Sequence, residues 1–236
     1  MQPSLAASLA PGPPFSTVLV EDDGLFRDLL RLGLDRHPLV NVVGSFADAS
    51  AALAEVPGLD PRVAILDVDL GGEIDGVRLG LMLREKLPGL AIVLLTNQVM
   101  PHVLSYLPPD VVRGWSYLHK KTVENVEGLT RAIEGACMQL LVLDESSTAI
   151  RRPRESGSLA ALTPRQLEVL ELLVQGYTNA AIAERLVIET KSVERHISVI
   201  YERLGIDPTA DEVHPRVHAV LRYLEDTISV DRPRAG

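Results

Sequence analysis

Five polar side chains fall where short apolar runs end. Glu21 and Asp22 follow Thr17-Val-Leu-Val20, and Asp67 follows Val63-Ala-Ile-Leu66. Thr96 follows Ala91-Ile-Val-Leu-Leu95, and Lys120 closes the segment Val111–His119. A carboxylate in such a place can be a metal ligand, a nucleophile or a helix cap. Three carboxylates at two run ends offer the few oxygen ligands that a hard divalent ion such as Mg²⁺ takes while keeping several waters. A cation there offsets the carboxylates' mutual repulsion and leaves Asp67 able to attack phosphorus, which is known carboxylate chemistry. Phosphoryl transfer depends on positioning and on neutralising the phosphoryl oxygens. Lys120 can supply a point charge, and Thr96 a hydroxyl donor. Any one of these carboxylates alone is usually a cap or a solvated turn residue, and Thr96 or Lys120 alone says less still; their joint order carries the chemistry.

The elements that must position these groups alternate. Four or five unbroken apolar residues read as a strand buried on both faces. Such strands are expected at 17–20, 39–45, 63–66, 91–95 and within 111–119. Between them lie helical patterns: Leu25, Phe26, Leu29, Leu30 and Leu34 up to His37-Pro38, then Ala47–Val56 ended by Pro57-Gly58. Asp75–Leu87 follows, then a weak helix around Pro101–Leu107 and a longer one from Thr122 to about Leu143. Five strands alternating with helices predict a parallel, doubly wound sheet. In such sheets ligands bind outside the carboxyl ends of the strands, where all five polar side chains fall.

Composition narrows the class. The 236 residues are 46% apolar and 23% charged, and the net charge of -9 argues against a generally basic nucleic-acid coat, though not against a small DNA-reading surface. The single cysteine, Cys137, permits no internal disulfide and no Cys-rich zinc site, and fits a reducing cytoplasm. Residues 1–16 hold four prolines and no Lys or Arg, so they read as a disordered tail rather than a signal peptide. No apolar run approaches a membrane span.

Residues 144–158, with Arg151, Arg152, Pro153 and Arg154, read as a linker, after which the pattern turns purely helical. Thr163-Pro164-Arg165-Gln166 is a helix start with a cap, a proline at the first helical position and a capping-box Gln. That helix runs to Gly176. A short helix capped at Thr178-Asn179 runs to about Leu186, and the turn Val187–Thr190 leads into a helix over Lys191–Leu204. The turn length is that of a helix-turn-helix. An acidic loop, 206–213, precedes a fourth helix over Pro215–Asp226, and the chain ends in a tail from residue 229. Val193, Ile197, Ile200 and Leu204 form a core stripe. The other face offers Lys191, Ser192, Glu194, Arg195 and Ser198. There Arg195 can read guanine and Glu194 can accept from cytosine N4, while Lys191 and Ser192 suit phosphates. A helical protein-docking bundle with solvated charges fits the same pattern.

Two resemblances now bear on these readings. Residues 17 to about 141 resemble the receiver domain of bacterial two-component response regulators. The resemblance rests on Val18-Leu-Val-Glu-Asp-Asp23 with Leu25-Phe-Arg27, Leu66-Asp-Val-Asp-Leu70, Asp75-Gly76, Leu95-Thr96, and Gly114 with Tyr117-Leu-His-Lys120. It implies a flavodoxin-like receiver in which Glu21 and Asp22 are the acidic Mg²⁺ pair and Asp67 is the phosphoacceptor. Asp69 would give a backbone carbonyl to the metal. Thr96 would be the switch hydroxyl, Tyr117 the switch aromatic and Lys120 the phosphate-binding lysine. Residues 162–206 are similar to the LuxR-type domain of the NarL/FixJ regulators, through Leu162-Thr-Pro-Arg-Gln-Leu-Glu-Val-Leu170, Gly176, Asn179, Ile182-Ala183, Leu186, Lys191-Ser-Val-Glu-Arg-His-Ile197 and Leu204-Gly205. That implies a four-helix DNA-binding domain with Thr190, Lys191, Ser192, Glu194, Arg195 and Ser198 toward DNA.

The resemblance therefore implies a receiver over 17–143, a linker over 144–158 and a DNA-binding domain over 159–228. The protein it describes is a cytoplasmic transcription regulator, not an enzyme. A sensor histidine kinase would phosphorylate it with Mg²⁺, and it would bind double-stranded DNA as a homodimer. A phosphorylation-dependent protein-interaction module and a phosphorylation-independent DNA-binding regulator are the competing readings. The chain departs from the family in places. Gly71-Gly72-Glu73 replaces a shorter, proline-bearing loop, and Asn97 stands where a small residue is usual, which predicts altered autodephosphorylation. Lys is frequent in the family where Ala180, Glu194 and Ser198 stand here. Residues 159–226 carry 7 Lys/Arg against 11 Asp/Glu, a net charge of -4. Nonspecific DNA affinity should be weak and salt-sensitive, with Arg151, Arg152 and Arg154 adding phosphate contacts.

Overall fold

The computed structural model describes residues 13–97, 107–121, 126–144, 157–209 and 214–227. Both tails, the expected weak helix but for Leu107, and the linker arginines 151, 152 and 154 lie outside the described residues.

Unbroken apolar runs need cover on both faces, and the strands receive it. Strands β1 (Phe15–Val20), β2 (Val40–Phe46), β3 (Val63–Asp67), β4 (Ala91–Thr96) and β5 (Trp115–His119) form a parallel sheet, with β3, β4 and β5 buried at every position. The strand order is β2-β1-β3-β4-β5, with a short sixth strand, β6 (Val142–Leu143), beyond β5. The order reverses between β1 and β3, so a crevice opens there at the carboxyl edge. Glu21 and Asp22 follow one of these strands and Asp67 ends the other.

Helices α1 (Gly24–Asp35), α2 (Ala49–Leu59), α3 (Gly76–Lys86), α4 (Pro109–Val112) and α5 (Val126–Cys137) complete this layer. Asp23, Asp48 and Asp75 cap α1, α2 and α3, each side chain accepting from a backbone N–H of the first turn. Some of the acidic residues after strands are therefore caps, which leaves Glu21, Asp22 and Asp67 for the crevice.

The structure corrects the sequence reading at two points. Helix α2 does not stop before Pro57 but carries it in its last turn. A proline there leaves the Leu53 carbonyl without its helical donor, and the Lys86 ammonium donates to that carbonyl at 3.3 Å. The long helix expected to Leu143 ends at Cys137, and among the described residues the sheet has six strands rather than five. Gln139 takes a left-handed φ of 61°, and the Leu140 N–H reaches back to the Gly135 carbonyl. This closes the helix in a Schellman turn. The apolar run after it then pairs with β5 as strand β6 (Val142–Leu143).

The second unit is helical: a 3₁₀ turn (Ser158–Ala161), then α6 (Pro164–Val174), α7 (Asn179–Leu186), α8 (Thr190–Arg203) and α9 (Pro215–Thr227). The capping box predicted at Thr163 and Gln166 is present in both directions. Helices α6, α7 and α8 each end in a Schellman turn whose left-handed residue is Gly176, Val187 or Gly205. The two units touch: α9 packs on α6 and on α4. The guanidinium groups of Arg131 and Arg185 lie on the Tyr177 ring, each 4.1 Å from its centroid.

Candidate functional site

The crevice between β1 and β3 gathers the predicted groups. Ligand oxygens of Glu21, Asp22 and Asp67 lie within 4.8 Å of one another. Glu21 and Asp67 are 0% and 2% exposed, while Asp22 faces solvent. From the end of β5 the Lys120 ammonium donates to Glu21 Oε1 at 2.8 Å and to Asp67 Oδ2 at 2.9 Å. The same ammonium lies over the Phe26 ring, 4.8 Å from its centroid. The Asp69 backbone N–H donates to Asp67 Oδ1 at 3.2 Å, and the Asp69 carboxylate is exposed. Thr96 is buried at the end of β4, one residue beyond the register partner of Asp67. Tyr117 is buried within β5. The structure thus brings Glu21, Asp22, Asp67, Asp69 and Lys120 together, with Thr96 ending the neighbouring strand β4 and Tyr117 three residues before Lys120 on β5.

Local backbone chemistry holds this geometry. Gly76 opens α3 directly over β3; its N–H donates to the Val68 carbonyl at 2.9 Å, and a Cβ there would collide with the Asp67 carbonyl. Only glycine permits that approach. The Arg27 guanidinium donates to the Glu21 carbonyl at 2.7 Å and ties α1 to the end of β1.

The electrostatics are those of a site short of positive charge. Burial pushes the Glu21 and Asp67 carboxyls above their ordinary values, although Lys120 opposes the shift. Burial works against the Lys120 ammonium too, yet its hydrogen bonds to Glu21 and Asp67 hold its pKa above the usual one. Glu21 Oε2 is buried with no hydrogen-bond partner among the described residues. A buried carboxylate oxygen in that condition calls for a cation, and three carboxylates suit a hard divalent ion.

On α8 the face is open. Val193, Ile197, Ile200 and Tyr201 are buried. Thr190, Lys191, Glu194, Arg195 and Ser198 are exposed on one side, with Ser192 half-buried. Glu189 occupies the N-cap position without a side-chain hydrogen bond, so the first N–H groups of α8 are not satisfied by a cap. The Ser198 hydroxyl donates to the Glu194 carbonyl at 3.0 Å.

Sequence reasoning gave no role to His119, Asp144 or Arg27. His119 is a buried polar residue that ends β5 next to Lys120, and that position was the available signal. The roles of Asp144 and Arg27 depend on contacts that no local pattern encodes: Asp144 Oδ2 accepts from the His119 N–H at 2.7 Å across the β5–β6 edge.

Comparison with known proteins places both units. The family model described as "Response regulator receiver domain" matches residues 17–144, and that of "Bacterial regulatory proteins, luxR family" matches residues 160–215. The DNA-binding transcriptional activator DevR/DosR of Mycobacterium tuberculosis is 29% identical over 195 residues, covering 80% of this chain and 88% of that protein. The transcriptional regulatory protein LiaR of Bacillus subtilis is 28% identical over 213 residues, covering 88% and 97%. Among solved structures, RcsB of Salmonella typhimurium matches with a TM-score of 0.52 at 24% identity, over 91% of this chain and 99% of that one, a likeness of fold. A structure of two RcsB dimers bound to two parallel DNAs matches with a TM-score of 0.50 at 25% identity, over 91% and 100%. With a receiver domain built around the acidic crevice and a LuxR-type DNA-binding domain behind it, the chain belongs to the response regulators.

Proposed function

We propose that this response regulator takes a phosphoryl group on Asp67 from a sensor histidine kinase and converts it into dimerisation and sequence-specific DNA binding. The observation that carries the reading is Lys120, hydrogen-bonded at once to Glu21 and Asp67 beside a third carboxylate. Glu21, Asp22, Asp67 and the Asp69 backbone carbonyl would hold Mg²⁺, which would supply charge neutralisation for the carboxylates and the phosphoryl oxygens. An Asp67 carboxylate oxygen forms the new bond to phosphorus as the donor's phosphorus–nitrogen bond breaks, and the imidazole leaves with a proton. Lys120 then passes from carboxylate to phosphoryl oxygen, and the Thr96 hydroxyl donates to another. Tyr117, in the strand that ends at Lys120, would report the shift as a two-state change. Helix α1 exposes Leu25, Leu29 and Leu32, and Leu29 lines a cavity of about 250 Å³ that reaches Lys120, an apolar surface suited to a phosphodonor protein.

Residues 17–143 act as the receiver, 144–158 as the linker and 159–228 as the DNA-binding domain, in the cytoplasm. Thr190, Lys191, Ser192 and Ser198 hold phosphates and set register, and Arg195 and Glu194 read bases. DNA bound by RcsB dimers supports a two-fold site for this chain as well. Incubation with acetyl phosphate, with and without Mg²⁺, followed by a phosphate-affinity gel, tests the entry step. The wild type should shift only with Mg²⁺, and Asp67→Ala should not shift. A shift in Asp67→Ala equal to wild type would overturn the assignment.

A further inference from the structure

We propose that His119 is a positioning residue for phosphoryl transfer at Asp67, fixing the spacing between Thr96 and Lys120. The inference rests on Asp67 being the phosphoacceptor.

The two groups expected to touch the phosphoryl oxygens leave adjacent strands at the same level. Thr96, the last residue of β4, is the register partner of His119, and Lys120 follows directly. Past these residues both chains leave the sheet, so the ladder no longer holds them together. The His119 imidazole bridges the gap. Its Nε2 lies 2.9 Å from the Asn97 carbonyl, just beyond Thr96, and its Nδ1 lies 3.2 Å from the Lys121 N–H, just beyond Lys120. A carbonyl only accepts and an amide N–H only donates, so Nε2 must carry the proton and Nδ1 the lone pair. Both contacts are satisfied together by one neutral tautomer.

The residue is also held from behind. Asp144 Oδ2 accepts from the His119 backbone N–H, and both residues are more than nine-tenths buried. The ring therefore stands on a fixed backbone and clips the chain after Thr96 to the chain after Lys120. When the phosphoryl group arrives, a hydroxyl and an ammonium must reach its oxygens simultaneously. Misplacement by about 1 Å can cost a rate of that kind about a hundredfold.

The test uses full-length protein and acetyl phosphate with Mg²⁺. The initial phosphorylation rate is measured on phosphate-affinity gels for wild type, His119→Phe, His119→Gln, His119→Asn and Asn97→Ala. Phe keeps a ring of similar shape and loses both hydrogen bonds. Gln places an amide N–H near the Nε2 position, and Asn places an amide oxygen near Nδ1. Mg²⁺ affinity, read from the rise in melting temperature on titration, is followed in parallel and reports the metal-holding groups rather than Thr96 and Lys120. The expected result is a fall of about ten- to a hundredfold in His119→Phe, substantial recovery in His119→Gln but not in His119→Asn, and unchanged Mg²⁺ affinity. Asn97→Ala keeps the carbonyl and should not reproduce the Phe defect. A His119→Phe rate within twofold of wild type would overturn the proposal, as would equal defects in Phe, Gln and Asn. If wild type itself accepts no phosphoryl group on Asp67, the reading beneath the proposal fails instead.

Discussion

The acidic crevice and the outer face of α8 handle charge in opposite ways. In the crevice, Glu21 and Asp67 are 0% and 2% exposed and are held by a lysine that is itself largely buried. On α8, Lys191, Glu194 and Arg195 stand in solvent. In the crevice, desolvation makes every pairing strong and every missing partner costly. On the helix, screening makes each charge weak until DNA removes the water. A ligand-free receiver is therefore electrostatically strained and ready for a cation. The α8 face proposed to meet DNA depends on the stiffness of the helix beneath it.

Loss of the central cation should separate the two regions most sharply. Lys120→Ala is expected to slow phosphorylation by about 10²–10³-fold, the usual effect of removing one donor to a developing charge. Nonspecific DNA binding by the same variant should be unchanged, as a filter-binding titration will show. Substitution on α8 should do the reverse. Arg195→Ala should cost about 1–3 kcal/mol of discrimination at one base pair. Lys191→Ala should weaken all sequences alike and reduce the salt slope by about one. Either variant slowing phosphorylation would break the contrast.

A smaller effect is expected at the turn before α8. In the helical unit, Gly176 and Gly205 fill the left-handed position at two of the three Schellman turns, but Val187 fills it at the other, with φ of 53° and 89% exposure. A β-branched residue is strained there, and its side chain buries almost nothing. Val187→Gly should therefore raise stability by about 1 kcal/mol despite the added chain entropy of glycine. Urea unfolding would show a higher midpoint at unchanged slope; a lower midpoint would contradict the strain argument.

The smallest effect belongs to pH. In metal-free protein, burial raises the Glu21 and Asp67 carboxyls above their ordinary 4.5 and 3.8, so the folded state holds protons that the unfolded state has released. The stability this pair contributes is full below those ordinary values and is lost as pH rises through the raised ones. Unfolding in a chelator, from about pH 4 to about pH 8, should show wild type losing stability relative to a Glu21→Gln, Asp67→Asn double variant. Parallel profiles would remove the strain from the account of the crevice.

Much of this was legible in the chain. Unbroken apolar runs located β1, β3 and β4, because such runs are rarely half-exposed, and their ends located the crevice. The capping box at Thr163 and the cap at Thr178 located the first two helices of the second unit. What the sequence hid was tertiary. Pro57 looked like a stop, but Lys86 from another helix satisfies the carbonyl it leaves bare. Strand β6 looked like the end of a helix, because Leu140-Leu-Val-Leu143 is too short for its period to decide, and only pairing with β5 makes it a strand. His119 was passed over because both ring contacts are to backbone atoms, which no residue pattern announces.

The most direct test of the account measures DNA affinity before and after phosphorylation. A duplex recovered by genomic pull-down and sequencing is titrated by fluorescence anisotropy with wild type and Asp67→Ala, each with and without acetyl phosphate and Mg²⁺. The account predicts that the donor tightens binding by wild type to a two-fold site and leaves Asp67→Ala unchanged. Equal affinity in all four conditions would contradict it and would leave the second domain reading DNA without instruction from the crevice.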